Sequence, residues 1–183
     1  AGNVARNVAA MGGTIALIAP VGDDEAGQDV QRLAAAERRL ETSLIVVSGR
    51  STTLKTRYVA GGQQLLRSDR ETTTALDTDA TQRLIAAAED EIADTQVVLL
   101  SDYAKGALSP LAVKRIIAAA CAAEKPVIVD PKTLDFSRYD GATAITPNAR
   151  ELAAATGMKT VEDADVVKAA RAVLDATTIE AVI

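Results

Sequence analysis

Gln96 to Lys132 reads QVVLLSDYAKGALSPLAVKRIIAAACAAEKPVIVDPK, and this stretch decides the fold. An apolar run, Gln96–Ser101, has the length of a buried strand and ends in the polar cluster Asp102-Tyr103-Ala104-Lys105-Gly106. Ser109-Pro110 then opens a helix, serine as cap and proline in the first turn, running to about Ala123. A second apolar strand, Pro126–Val129, follows and again ends in polar residues, Asp130-Pro131-Lys132. Strand, helix, strand with buried apolar strands implies a parallel sheet covered on both faces.

The same alternation extends in both directions. Downstream come a strand at Ala142–Thr146, helices at about 148–156 and 162–176, and a last strand at 179–183. Upstream, Leu84, Ala88 and Ile92 share one helical face. Residues 3–11 are helical in pattern and stop at Gly12-Gly13, and 14–21 read as a strand whose far end Pro20 weakens. Gly22-Asp23-Asp24 opens a further helix with Ala26, Val30, Leu33 and Ala34 on one face, followed by a short strand, Leu44–Val47.

Residues 52–69 break the pattern. Two alternating, largely polar runs flank Gly61-Gly62, the signature of a β-hairpin with a tight glycine turn. Leu54, Thr56, Tyr58 and Ala60 share one face and Lys55, Arg57 and Val59 the other. A plain two-residue turn puts Leu65 and Arg67 with the first set. The expected architecture is therefore α/β, a mainly parallel Rossmann-like three-layer sandwich with a small antiparallel flap.

Composition narrows the function. The 183 residues are 48% hydrophobic and 25% charged, with a net charge of -5, and only Tyr58, Tyr103, Phe136 and Tyr139 are aromatic. So few stacking groups on an acidic chain argue against a nucleic-acid binder. The single cysteine, Cys121, sits in an Ala-rich stretch and reads as a buried small hydrophobe. There is no histidine, hence no imidazole base, and no run approaches the length of a membrane span, so a cytoplasmic setting is expected. The chain begins with Ala inside a helical pattern and stops on a strand, which suggests a domain cut at both ends.

Ligands of open parallel sheets bind beyond the carboxyl ends of the strands. Asp102 to Lys105, Asp130 to Lys132 and Asn148 to Glu151 all fall there. Singly each has an ordinary explanation: turn formers, solvated lysines, and a capping box in Asn148-Ala149-Arg150-Glu151. Together, lysines and carboxylates aimed at one crevice beside a helix N-terminus suit phosphates and a divalent cation.

Asn3-x-Ala5 followed by Gly12 and Gly22 resembles the amino-terminal signature of ribokinase-like carbohydrate kinases, and Asn148-x-x-Glu151 matches their nucleotide element. Within that family, Thr52–Tyr58, Gly61–Arg67, Asp69–Glu71, Ser101–Gly106, Asp130–Lys132 and Ile145–Asn148 are similar to the heptose-7-phosphate kinases, which in bacteria are fused to an adenylyltransferase. The likeness loosens at Glu37–Leu44, at Ser51 and after Thr160. It implies ATP- and Mg²⁺-dependent phosphorylation of the anomeric hydroxyl of heptose 7-phosphate. Asn148, Ala149, Arg150, Glu151 and Lys132 would serve the nucleotide, with Glu151 acting indirectly on the metal. Asn3, Lys55, Arg57, Gln64, Asp102 and Lys105 would serve the sugar, and the flap would pair subunits in a homodimer. The family's Gly-Ala-Gly-Asp element, which carries the base, is not among the 183 residues, so this stretch alone is not expected to turn over ATP. The alternatives are another sugar or nucleoside kinase of the family, or a non-catalytic nucleotide- or sugar-binding module. A nicotinamide oxidoreductase is disfavoured, because no Gly-x-Gly-x-x-Gly turn is present.

Overall fold

A computed structural model describes residues 2–183. Their contacts fall into two compact units, one ending at Leu84 and the other spanning Ile85–Ile183.

In the first unit, α1 (Gly2–Ala10) leads to β1 (Ile15–Gly22), α2 (Glu25–Ala35) and β2 (Leu40–Val47). β1 and β2 pair in parallel from Ile15↔Leu40 to Gly22↔Val47. The second strand is thus four residues longer at its start than the apolar run alone suggested, because ladder pairing recruits Leu40-Glu41-Thr42-Ser43. β1 also runs straight through Pro20. Among the described residues it pairs on one side only, and an edge strand tolerates proline.

β3 (Leu54–Ala60) and β4 (Gln63–Arg70) form the antiparallel hairpin as a sheet of its own. Its two-residue turn is Gly61-Gly62, with φ of 58° and 78°, a conformation that glycine alone adopts at no steric cost. The register then departs from the simple reading: Val59 opposes Gln64 but Tyr58 opposes Leu66, so Leu65 is an extra residue in a β-bulge. One inserted residue moves everything beyond it to the other face. Arg67 therefore opposes Arg57 and shares the face of Lys55, and Leu66 rather than Leu65 joins Tyr58 and Leu54.

The hairpin is nailed down at its root. Thr52 is buried; its Oγ1 accepts from Gly22 N–H (2.8 Å) and its own N–H donates to Asp24 Oδ2 (3.0 Å). Gly22 is required by this approach, since a Cβ there would lie 2.1 Å from the Arg50 carbonyl oxygen. On the other side Arg50 donates to the carbonyls of Thr72 (3.2 Å) and Thr74 (3.0 Å).

The second unit is built on β5 (Val98–Ser101), β6 (Val127–Asp130), β7 (Ala144–Ile145) and β8 (Ala181–Val182), all parallel and in that spatial order. The last two strands are shorter than the apolar runs, which continue as loop. Between strands lie α4 (Pro110–Ala122), a 3-10 turn at Phe136–Tyr139, α5 (Ala149–Thr156) and α6 (Asp163–Ala176); α3 (Thr78–Ile92) precedes β5. α4 buries Ala112, Val113, Ile116, Ile117 and Ala120 against a core with Val127, Val129, Ile145 and Tyr139. Each fully buried Val or Ile contributes roughly 1.5–3 kcal/mol. Cys121 lies one residue beyond that stripe and is exposed, its thiol 3.4 Å from the Gly141 carbonyl oxygen, so the buried-hydrophobe reading does not hold. The helical stripe had already used its inward positions by Ala120.

Candidate active site

Parallel pairing brings the polar ends of β5, β6 and β7 side by side. Ser101 is level with Asp130, Asp102 N–H donates to the Asp130 carbonyl (3.0 Å), and Thr146 N–H donates to the Val129 carbonyl (2.9 Å). The three clusters read from the sequence therefore leave one edge of one sheet.

At the end of β7, Asn148 is the N-cap of α5. Its Oδ1 accepts from the N–H groups of Arg150 (3.0 Å) and Glu151 (3.1 Å), while Glu151 Oε2 accepts from Asn148 N–H (3.0 Å). The capping box is thus fully formed, worth about 1 kcal/mol to the helix. It does not exhaust Glu151. The other carboxylate oxygen takes Lys132 Nζ at 2.5 Å, joining the loop after β6 to the start of α5. Burial alone would raise the Glu151 carboxyl, but the bonds from Lys132 and Asn148 outweigh it and hold the group below its usual range. Lys132 is held upward by the same pair. Asp130 is pushed up instead, first by burial and then by the negative charge of Glu151.

Two carboxylates thus stand near a helix N-terminus and are incompletely compensated by one lysine. No cluster of three metal-ligating side chains occurs among the described residues. Magnesium needs no such cage, since it keeps waters and takes one or two carboxylates plus substrate phosphates, so Asp130 and Glu151 fit it.

At the end of β5 the arrangement is of another kind. Asp102 is 4% exposed, and its carboxylate is fully engaged. Oδ1 accepts from Ala104 N–H (2.8 Å), Oδ2 from the Tyr139 hydroxyl (2.7 Å), and Arg138 Nη2 stands 3.7 Å away. Burial, reinforced by the Asp102 charge, pushes the Tyr139 phenol up to about 12, so it remains a donor throughout the physiological range. Ala104 has φ of 53°, a left-handed conformation costing an L-residue about 1–2 kcal/mol, and Gly106 follows at 76°. Lys105 lies between them and is half-buried.

The remaining expected residues are in the first unit. Lys55, Arg57, Gln64 and Arg67 share one hairpin face. Asp69 is bonded by both Lys55 Nζ (2.8 Å) and Arg67 Nε (2.9 Å), and Lys55 also stands 3.6 Å from Glu71. Those contacts raise the lysine and lower Asp69, the hydrogen bond between the two leading in each case. Arg57 makes no ion pair among the described residues. Asn3 is exposed on α1 and lines an open concavity of about 690 Å³ with Arg6, Asn7, Arg38 and Arg39.

A family model described as pfkB family carbohydrate kinase matches residues 1–183. This chain belongs to that family. Among curated relatives, the bifunctional protein HldE of Caulobacter sp. (strain K31) is 52% identical over 174 residues, covering 95% of this chain and 35% of the relative. HldE of Paramagnetospirillum magneticum is 44% identical over 184 residues, covering all of this chain and 38% of the relative. The PfkB chain described here thus spans a little over a third of these relatives' length. Among solved structures, phosphofructokinase-2 from Escherichia coli superposes with a TM-score of 0.74 at 23% identity, over 98% of this chain and 58% of that one. At that identity the likeness establishes the ribokinase-like fold.

Sequence reasoning passed over Arg138 and Tyr139, and also the Asp24–Thr52 anchor of the hairpin. Tyr139 left a trace, one of only four aromatics in the chain. Asp24 and Thr52, 28 positions apart, left none.

Proposed function

We propose that this PfkB-family chain is part of an ATP-dependent sugar kinase acting on the anomeric hydroxyl of D-glycero-β-D-manno-heptose 7-phosphate. The product would be the 1,7-bisphosphate, on the cytoplasmic route to ADP-heptose for lipopolysaccharide. The observation that supports it most is the capped α5 N-terminus beside the ends of β6 and β7, with Lys132 beside it as a cation suited to phosphate oxygens and two carboxylates suited to their metal ion. The HldE relatives support heptose as the sugar.

Asn148, Ala149, Arg150, Glu151 and Lys132 are assigned to the nucleotide, with the positive end of α5 and the Lys132 ammonium meeting anionic oxygen. Asp130 would hold magnesium, with Glu151 acting on it indirectly through water, and the ion would supply charge neutralisation at the transferring phosphoryl group. Asn3, Lys55, Arg57, Gln64 and Lys105 are assigned to the sugar phosphate, Arg57 foremost because it has no ion pair of its own, while Asp102, whose carboxylate is fully bonded, serves the sugar only by shaping its loop. The general base belongs to a Gly-Ala-Gly-Asp element outside these 183 residues. Leu54, Tyr58 and Leu66 form an exposed apolar hairpin face, and a two-stranded hairpin is marginal by itself, which supports pairing with the same flap of a second subunit.

The test is ADP release by the protein expressed from its complete gene, offered heptose 7-phosphate, fructose 6-phosphate and ribose at equal concentration. Heptose 7-phosphate is expected to be preferred by at least about 100-fold in kcat/KM, as befits a site that pairs its buried polar groups with one substrate. Equal or greater efficiency with fructose 6-phosphate or ribose would overturn the assignment.

A further inference from the structure

The loop leaving β5, Asp102–Leu108, is gripped at both ends by one pair of neighbouring side chains. Tyr139 donates its hydroxyl to Asp102 at the start of the loop (2.7 Å). Arg138 stands 3.7 Å from the same carboxylate and donates through Nη2 to the Leu108 carbonyl at the far end (2.7 Å). The two side chains also brace each other, the guanidinium lying 5.5 Å from the centre of the Tyr139 ring.

The brace is itself rigid. Phe136 and Tyr139 are buried, and Asp135 caps their 3-10 turn by accepting from Ser137 N–H (3.0 Å) and Ser137 Oγ (2.6 Å). Thr133 Oγ1 adds a contact to the Tyr139 hydroxyl (3.4 Å). What it restrains is a backbone strained at Ala104, an L-residue held at positive φ. Strain of this kind persists only where surrounding structure over-determines it, and it gathers at functional sites.

We propose that Arg138 and Tyr139 are positioning residues: by clamping both ends of Asp102–Leu108 they set the backbone from which Lys105 and Gly106 meet a phosphorylated sugar. The proposal rests on reading the protein as a sugar kinase. It assigns Asp102 to the frame of the site, since both carboxylate oxygens are spent inside the protein.

Tyr139→Phe and Arg138→Lys in the protein from its complete gene test this by hydrogen–deuterium exchange and by kinetics. Loss of one charge-assisted bond is expected to speed exchange across Asp102–Leu108 about tenfold, with α4 and β6 unaffected. The KM for the phosphorylated sugar should rise by about the same factor while that for ATP stays within about twofold. Unchanged loop exchange in both variants overturns the brace, and faster exchange with neither KM moved overturns the positioning role. Should Tyr139→Phe loosen the whole protein, Arg138→Lys decides, because that side chain is 19% exposed and lies at the margin of the core. A wild-type protein that phosphorylates no sugar would remove the kinase reading, and the exchange comparison would still decide the brace.

Discussion

The hairpin and the ends of β5–β7 carry the same kinds of ionisable residue and use them oppositely. On the hairpin every residue of β4 is exposed, and Lys55, Arg67 and Asp69 form ion pairs open to water. Exposed pairs of this sort are worth little, about 0–1 kcal/mol, so they can be exchanged for a ligand's phosphate at small cost. At the strand ends Asp102 is buried, and its partners are fixed by a capped turn and a core tyrosine. Breaking a buried pair leaves an uncompensated charge and is expensive. One region is arranged to give up its internal partners, and the other to keep them.

Glu151 stands between these extremes, and its substitution should have the largest effect. Glu151→Gln keeps an acceptor for the capping box but gives up the charged bond to Lys132, so stability at pH 7 should fall by no more than about 1 kcal/mol. Turnover should fall about 10–100-fold with a shifted magnesium dependence, as when a group that orients a metal site is lost. Steady-state rates across a magnesium titration, set beside thermal melts, check both halves. Unchanged turnover would make capping the residue's whole role.

The next effect sharpens the hairpin side. Arg57→Glu should raise the KM for the phosphorylated sugar about tenfold, the scale of one charge-assisted hydrogen bond, and leave that for ATP nearly unchanged. Lys55→Gln should do less, because Lys55 is already committed to Asp69 and Glu71. No change in either variant would break the comparison, since the hairpin's cations would then not be exchanged for a ligand at all.

The smallest effect concerns Asp130. Its folded pKa is raised above the ordinary 3.8, so ionisation is penalised in the native state. The penalty is absent below about pH 3.8 and complete once pH exceeds the raised value. Asp130→Asn should therefore stabilise the protein at pH 7, by no more than about 1 kcal/mol after solvent screening, and not at pH 3. Glu151 has the opposite sign: held below 4.5, it contributes stability above that pH and loses it as pH falls through its lowered value. Thermal melts at the two pH values separate the neighbours.

Much of this was legible from local pattern. Apolar runs ending in Ser101-Asp102, Asp130 and Thr146 placed the strands of the second unit, and parallel topology alone put their polar ends on one edge. The Gly61-Gly62 turn and the Asn148–Glu151 box were equally local, since turn and capping chemistry involve residues only a few positions apart. The family likeness of those motifs agreed with the matched family.

Tertiary structure decided the rest. Alternation cannot reveal a bulge, because a sequence with one extra residue looks regular on each side of it; only the pairing of Tyr58 with Leu66 moved Arg67 onto the face of Lys55 and Arg57. Composition could not tell that Cys121 lies beyond the buried stripe of α4. Nor could spacing show that Asp102 would be claimed by Tyr139, 37 residues away, or Thr52 by Asp24, 28 residues away. Turns and caps are specified by neighbours along the chain, so the sequence by itself determined them. Register, burial and long-range hydrogen bonds depend on which segments the fold brings together, and only the folded chain selects those partners.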